Sequence, residues 1–313
     1  MHPVLDPNVQ MIQVRDDGLV GTLYLPGTPP PWPVVIVVGG SSPGIFGLPG
    51  LMFASEGIAA LALGYFGMPG LPPTFERIPI EYFGTALRWL ARRPDIRQEA
   101  IGVAGASRGG ELALLLAATY PEIRAAISWV GSGLVYGGVV SIGAAPVAGW
   151  TRDGKDLPFA GFVPSAVTID APPVSLTPGF VAALDDTEAV AAAEIPVERI
   201  NGPVLLISGT DDAVWPATTL SEFAARRLRR HGHPHAVKHL VYEGAGHIIG
   251  PPVPGMTFNI THAVHPIIGL DFAFGGTPER NAAASADSWP RVITFLGDAF
   301  RRGGSKDPQL RTA

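Results

Sequence analysis

Residues 100–120 read AIGVAGASRGGELALLLAATY. The first half is a short, unbroken apolar run, which is what a strand buried on both faces requires, and the second half carries the residues and spacing of a helix. Between them stands the pattern Gly105-x-Ser107-x-Gly109, followed by Gly110. A serine between a strand and a helix is in the setting that holds a hydroxyl out at the end of a sheet as a nucleophile. Glycine is the residue that tolerates the unusual backbone angles and close approach of such a turn.

The same alternation extends along the chain. PVVIVVGG (33–40), GIAALAL (57–63), AAISWVG (125–131), PVLLISG (203–209) and AVKHLVY (236–242) are further continuous apolar runs ending in turn signals. Helical stretches are read near 47–56, 80–93, 108–120, 217–231 and 279–302, and residues 9–26 alternate about Asp17 and Gly18 as a hairpin. Strand followed by helix, repeated, predicts an α/β fold: a mostly parallel central sheet with helices on both faces, in one domain over 1–313. Residues 132–195 break the rhythm, with prolines, glycines and no clear period, and are read as a cap or lid insertion over the carboxyl ends of the strands. The loop 251–276 is expected to help wall the site, and 303–313 to be a mobile tail.

A second G-x-S-x-G lies in GGSSPG at 39–44, centred on Ser42. The residue after Ser42 is Pro43, which has no N–H, whereas a nucleophile elbow uses the N–H of the following residue to stabilise the oxyanion. Arg108, after Ser107, has one. The first motif suits a different role, because it follows the third strand, where folds of this kind place the second oxyanion donor. Gly39, Gly40 and Ser41 are therefore candidates, with Gly40 or Ser41 favoured.

A serine at neutral pH needs a base, and the base an orienting acid. EGAGH after the last strand offers His247, and SGTDDAVWP after the preceding one offers Asp211 and Asp212. Asp212 is preferred, since G-x-x-D with a proline four residues on matches the usual acid turn. The chain order Ser, Asp, His is that of an α/β-hydrolase.

These segments carry a resemblance. GVAGASRGGELALLLAATY, IPVERINGPVLLISGTDDAVWP, YEGAGHIIGPP, GGTPERNAAASADSWPRVITFL and VVIVVGGSSPGIFGLPGLMFASEGIAALALGYFG resemble the catalytic domain of the acyl-CoA thioesterase and bile acid-CoA:amino acid N-acyltransferase family, from about residue 33 to 300. The resemblance implies an α/β-hydrolase whose Ser107 takes an acyl group from a thioester or ester, with Asp212 and His247 as acid and base and no cofactor. In the family's acyltransferase branch the nucleophile is a cysteine, so serine here points to hydrolysis. Animal members carry a β-sandwich domain before the catalytic one, and about 32 residues stand in that place here, which leaves a general carboxylesterase, or an acyl-CoA:amino acid N-acyltransferase using the same acyl-enzyme, beside the acyl-CoA thioesterase.

Composition narrows the rest. A net charge of −5 and 16% charged residues argue against a nucleic-acid partner, and the absence of cysteine removes disulfides and thiolate chemistry. No apolar run approaches the ~18 residues of a membrane span, and MHPVLDPNVQ lacks the pattern of a signal peptide, so a cytoplasmic protein acting on a small acyl ester or thioester is expected. RRLRRHGHPH (226–235) is read as basic side chains complementing a helix C-terminus, with coenzyme A phosphates as the alternative. His231, His233 and His235 are interrupted by Gly232 and Pro234, and no metal is expected. Glu111 favours the start of its helix and can pair with Arg108. Tyr65 and Phe66 end a strand on the side of the site, as lining of an acyl pocket or as core.

Overall fold

The computed structural model describes residues 4–139, 144–252 and 260–304. Eight strands form the main sheet: β1 (Gln10–Val14), β2 (Val20–Leu25), β3 (Trp32–Val38), β4 (Ala59–Gly64), β5 (Ile96–Ala106), β6 (Ile123–Trp129), β7 (Val204–Gly209) and β8 (Val237–Tyr242). Their spatial order is β1-β2-β4-β3-β5-β6-β7-β8. Only the pairings of β2 with β1 and β4 are antiparallel; from β4 to β8 every ladder is parallel.

Parallel strands joined by helical crossovers are covered on both faces, and the side chains alternate accordingly. In β3, Val34, Ile36 and Val38 enter one core while Val35 and Val37 enter the other; in β7, Val204 and Leu206 part from Leu205 and Ile207 in the same way. Helices α1 (Gly47–Ser55) and α7 (Pro278–Gly304) pack on one face, while α2 (Glu81–Ala91) and α3 (Arg108–Thr119) cover the other. Helix α6 (Ala217–Arg230) contributes to both cores. No helix among the described residues is long and apolar enough to cross a membrane.

The stretch 132–195 holds α4 (Thr177–Ala183), α5 (Thr187–Ala193) and the strands Trp150–Arg152 and Lys155–Asp156, which join Ile78–Pro79 in a small sheet. Elements this short show no period in the sequence. Its residues 174–177 brace two neighbours. Val174 N–H donates to Asp271 O at 2.7 Å, Ala273 N–H donates to Val174 O at 2.9 Å, and Thr177 Oγ1 donates to Asp212 O at 2.9 Å. Within the loop 251–276, His262–Val264 and Asp271–Ala273 pair as a short antiparallel hairpin. Of the tail, 305–313 lies outside the described residues.

Candidate active site

Ser107 stands between the last residue of β5 and the first of α3, with φ 58° and ψ −126°. A non-glycine residue held at positive φ costs about 1–3 kcal/mol and persists where its surroundings fix it. Here the Ser107 N–H donates to Trp129 O at 2.9 Å, and Ser107 O accepts from Gly110 N–H at 2.8 Å. The crossing is too tight for side chains: a methyl on Gly105 would strike Gly109 O, and one on Gly109 would strike Gly39 O and come 2.6 Å from Val38 O.

Asp212 and His247 follow β7 and β8, at the same carboxyl edge of the sheet. Asp212 Oδ1 accepts from Val214 N–H at 2.9 Å and Trp215 N–H at 3.2 Å, which leaves Oδ2 to meet His247 Nδ1 at 2.8 Å. The aspartate side chain is 1% exposed and the histidine side chain 9%. Asp211, one residue earlier, is exposed. The His247 backbone N–H donates to Phe274 O at 2.7 Å, and its ring lies between Phe274 and the edge of Trp215.

A cavity of about 440 Å³ brings these groups together. Ser107 and His247 line it with Gly39, Gly40 and Ser41, and most of the remaining wall is apolar, including Ile45, Phe46, Ile249, Phe272 and Phe274. Gly40 passes close to the serine: a methyl added there would lie 3.5 Å from Ser107 Cβ. Loop 251–276 supplies Pro251, His265 and the hairpin residues Ala263, Val264 and Phe272 to the wall.

Between the alternatives read from the sequence for Tyr65 and Phe66, the geometry selects the core. Tyr65 and Phe66 do not border the cavity; they are buried with Phe75, and Tyr65 also meets Phe83 and Trp150, because the aromatic pair at the end of β4 turns into the core. None of the described residues of 132–195 lines the cavity, while Thr177 bonds Asp212 O and Val174 pairs with the hairpin. The sequence reading missed His265, whose Nε2 lies 3.0 Å from Ser41 Oγ inside the wall. It is one of eight histidines, in a loop without periodic pattern, and no signal marks it.

Residues 78–301 match the family described as BAAT / Acyl-CoA thioester hydrolase C terminal. The chain belongs to this family. It is 31% identical over 293 residues to rat acyl-coenzyme A thioesterase 2, mitochondrial, an alignment that covers 93% of this chain and 60% of that protein. To mouse acyl-coenzyme A amino acid N-acyltransferase 1 it is 30% identical, covering 96% of this chain and 68% of the relative. The chain thus spans about three fifths of the length of the thioesterase it matches. Among solved structures, a puromycin-hydrolysing peptidase of Mycobacterium tuberculosis superposes with a TM-score of 0.57 at 18% identity, over 93% of this chain and 39% of that one. The shared architecture is the α/β-hydrolase fold.

Within this family member the Arg108 backbone and side chain face different ways. Its N–H, first in α3, is among those a helix leaves without an internal acceptor, beside Ser107. Its guanidinium is buried: Nη2 donates to Tyr136 O at 2.8 Å, Nη1 stands 3.1 Å from Glu111 Oε2, and the group lies over the Phe75 ring. Glu111 Oε1 accepts from Trp150 Nε1 at 2.8 Å. Burial pushes the Glu111 carboxyl up to about 7, against the pull of Arg108 and the Trp150 hydrogen bond.

The basic end of α6 is largely paired. Arg227 bridges Glu194 and Glu198, Arg230 reaches Glu194, Arg229 meets Glu222, and Arg226 lies over Phe223. Among the described residues no group of histidines and carboxylates is placed to hold a metal ion.

Proposed function

We propose that the chain hydrolyses acyl thioesters or carboxylic esters through an acyl-enzyme on Ser107. The observation that carries this reading is the joint geometry: a serine held at positive φ at the head of α3 shares an apolar cavity with His247, whose other ring nitrogen is bonded to buried Asp212.

The chemistry follows from the positions. With Nδ1–H donated to Asp212, His247 presents an unprotonated Nε2 that takes the Ser107 proton as Oγ attacks the acyl carbonyl. Asp212 fixes that tautomer and stabilises the imidazolium. The N–H of Arg108 and one from Gly40 or Ser41 hold the oxyanion, each worth roughly 3 kcal/mol in the transition state. Collapse of the tetrahedral species expels the thiolate or alkoxide, which receives the proton from His247. Water, deprotonated by the same histidine, then releases the acid and restores Ser107. The apolar wall suits the hydrocarbon part of an acyl group.

The thioesterase relatives favour a coenzyme A leaving group over a simple alcohol. Initial rates on matched coenzyme A thioesters and p-nitrophenyl esters of increasing chain length, with Ser107→Ala as blank, test both levels of the proposal. A kcat/KM far higher for the thioesters supports coenzyme A recognition; ester hydrolysis with negligible thioester hydrolysis makes the chain a carboxylesterase. Full activity in Ser107→Ala rejects the acyl-enzyme.

A further inference from the structure

The glycine loop after β3 is held from two sides by side chains that belong to neither of the two serine motifs. Tyr65 Oη lies 2.7 Å from Gly39 O and 2.7 Å from Gly40 O, and its single O–H is shared between these two carbonyls. Burial drives the phenol well above its ordinary range, so it remains a donor. In a trans peptide the C=O and the N–H point in opposite directions. Drawing Gly39 O towards Tyr65 therefore turns the Gly40 N–H away from it, and drawing Gly40 O down does the same to the Ser41 N–H. Tyr65 is in the core and outside the cavity wall, whereas Gly40 and Ser41 share that wall with Ser107. The sheet does not claim these two N–H groups, because β3 ends at Val38.

From the other side comes His265. Its Nδ1 accepts from the N–H groups of Ile267 and Ile268, both at 3.3 Å, so that nitrogen carries no proton and Nε2–H is the donor to Ser41 Oγ. Burial lowers the pKa of this imidazole, which keeps it in the neutral form the contacts require. Its ring packs against Phe272, so the contact also ties the glycine loop to the hairpin.

We infer that Tyr65 and His265 are positioning residues for the oxyanion hole: together they orient the 39–40 and 40–41 peptide planes so that an N–H of Gly40 or Ser41 faces the acyl oxygen bound at Ser107. The inference rests on the acyl-hydrolase reading of Ser107. A positioning role of this kind touches the transition state far more than the ground state, which gives it a kinetic signature.

Tyr65→Phe removes the donor and keeps the ring, while His265→Leu and His265→Gln separate loss of the contact from its replacement by another N–H donor. For each variant kcat, KM and the inhibition constant of a trifluoromethyl ketone, which forms a tetrahedral oxyanion adduct on serine, are measured beside those of the corresponding alcohol, which forms none. In Tyr65→Phe, kcat falls about 10- to 100-fold, less than the ~100- to 1,000-fold of deleting a donor outright, with KM nearly unchanged. Affinity for the ketone drops by the same factor and affinity for the alcohol does not. His265→Leu shows a smaller loss of the same form, and His265→Gln restores part of it. Wild-type kcat and ketone affinity in both Tyr65→Phe and His265→Leu overturn the inference, as does an equal loss of ketone and alcohol affinity, which is damage to the pocket. Wild-type and Ser107→Ala controls keep the two failures apart: a wild-type protein inert towards both substrate series rejects the acyl-hydrolase reading and the inference with it.

Discussion

The two sides of the site are built differently. Asp212 is held by its own turn, through the N–H groups of the two residues following Ala213, and His247 by the Asp212 carboxylate and the backbone of Phe274. Gly40 and Ser41 are held through side chains instead. Their loop is tied by a tyrosine 25 positions away and a histidine 224 positions away. The proposed acid–base side is thus fixed mainly through backbone N–H groups and one carboxylate, and the proposed oxyanion loop through two side chains brought in from other elements.

Substitutions on the acid–base side break the contrast most sharply. His247→Ala is expected to lower kcat roughly 10⁶-fold with the fold intact, read by steady-state rates and circular dichroism. Asp212→Asn follows at about 10⁴-fold, because the amide favours the wrong imidazole tautomer while leaving the geometry in place. Gly109→Ala acts where the serine turn meets the glycine loop. Its methyl meets Gly39 O and Val38 O, so a stability loss of about 1–3 kcal/mol is expected in urea unfolding.

Glu111 provides a pH test of the ground beneath the elbow. Its carboxyl titrates near 7 when folded and near 4.5 when unfolded, so the folded state binds the extra proton between those values. Its contribution to stability is full below about pH 4.5 and is lost as pH rises through 7. Between these values Glu111 makes the melting temperature fall with pH, and Glu111→Gln removes that part of the slope; a slope identical to that of the wild type contradicts the assignment. The smallest effect belongs to Asp211→Asn. That side chain is exposed, and stability within about 0.5 kcal/mol of wild type, with kcat unaltered, is the expected result.

The same contrast governs what could be read from the chain. The parallel strands were legible because continuous apolar runs mark strands buried on both faces, and Ser107 was separated from Ser42 by one missing N–H at Pro43. Asp212 was distinguished from Asp211 only by a turn pattern, and burial now separates the two. Tyr65 was left between pocket and core because the end of a strand tells where a side chain begins, not which layer it enters. His265 was invisible because its partner, Ser41, is brought to it by the fold alone. The elements within 132–195 eluded assignment since these strands and helices are too short to show a period, and the segment's hydrogen bonds go to partners as distant as Arg108, Glu111, Asp212 and the hairpin.

The central claim is a covalent acyl group on Ser107, and rapid quench with peptide mass spectrometry tests it most directly. Wild-type protein mixed with an activated acyl ester and quenched in acid within the first turnover is digested and mapped. The acyl mass is expected on the peptide carrying Ser107, decaying as free acid appears, and absent from Ser107→Ala. Acylation of another residue, or turnover in Ser107→Ala at the wild-type rate, contradicts the account.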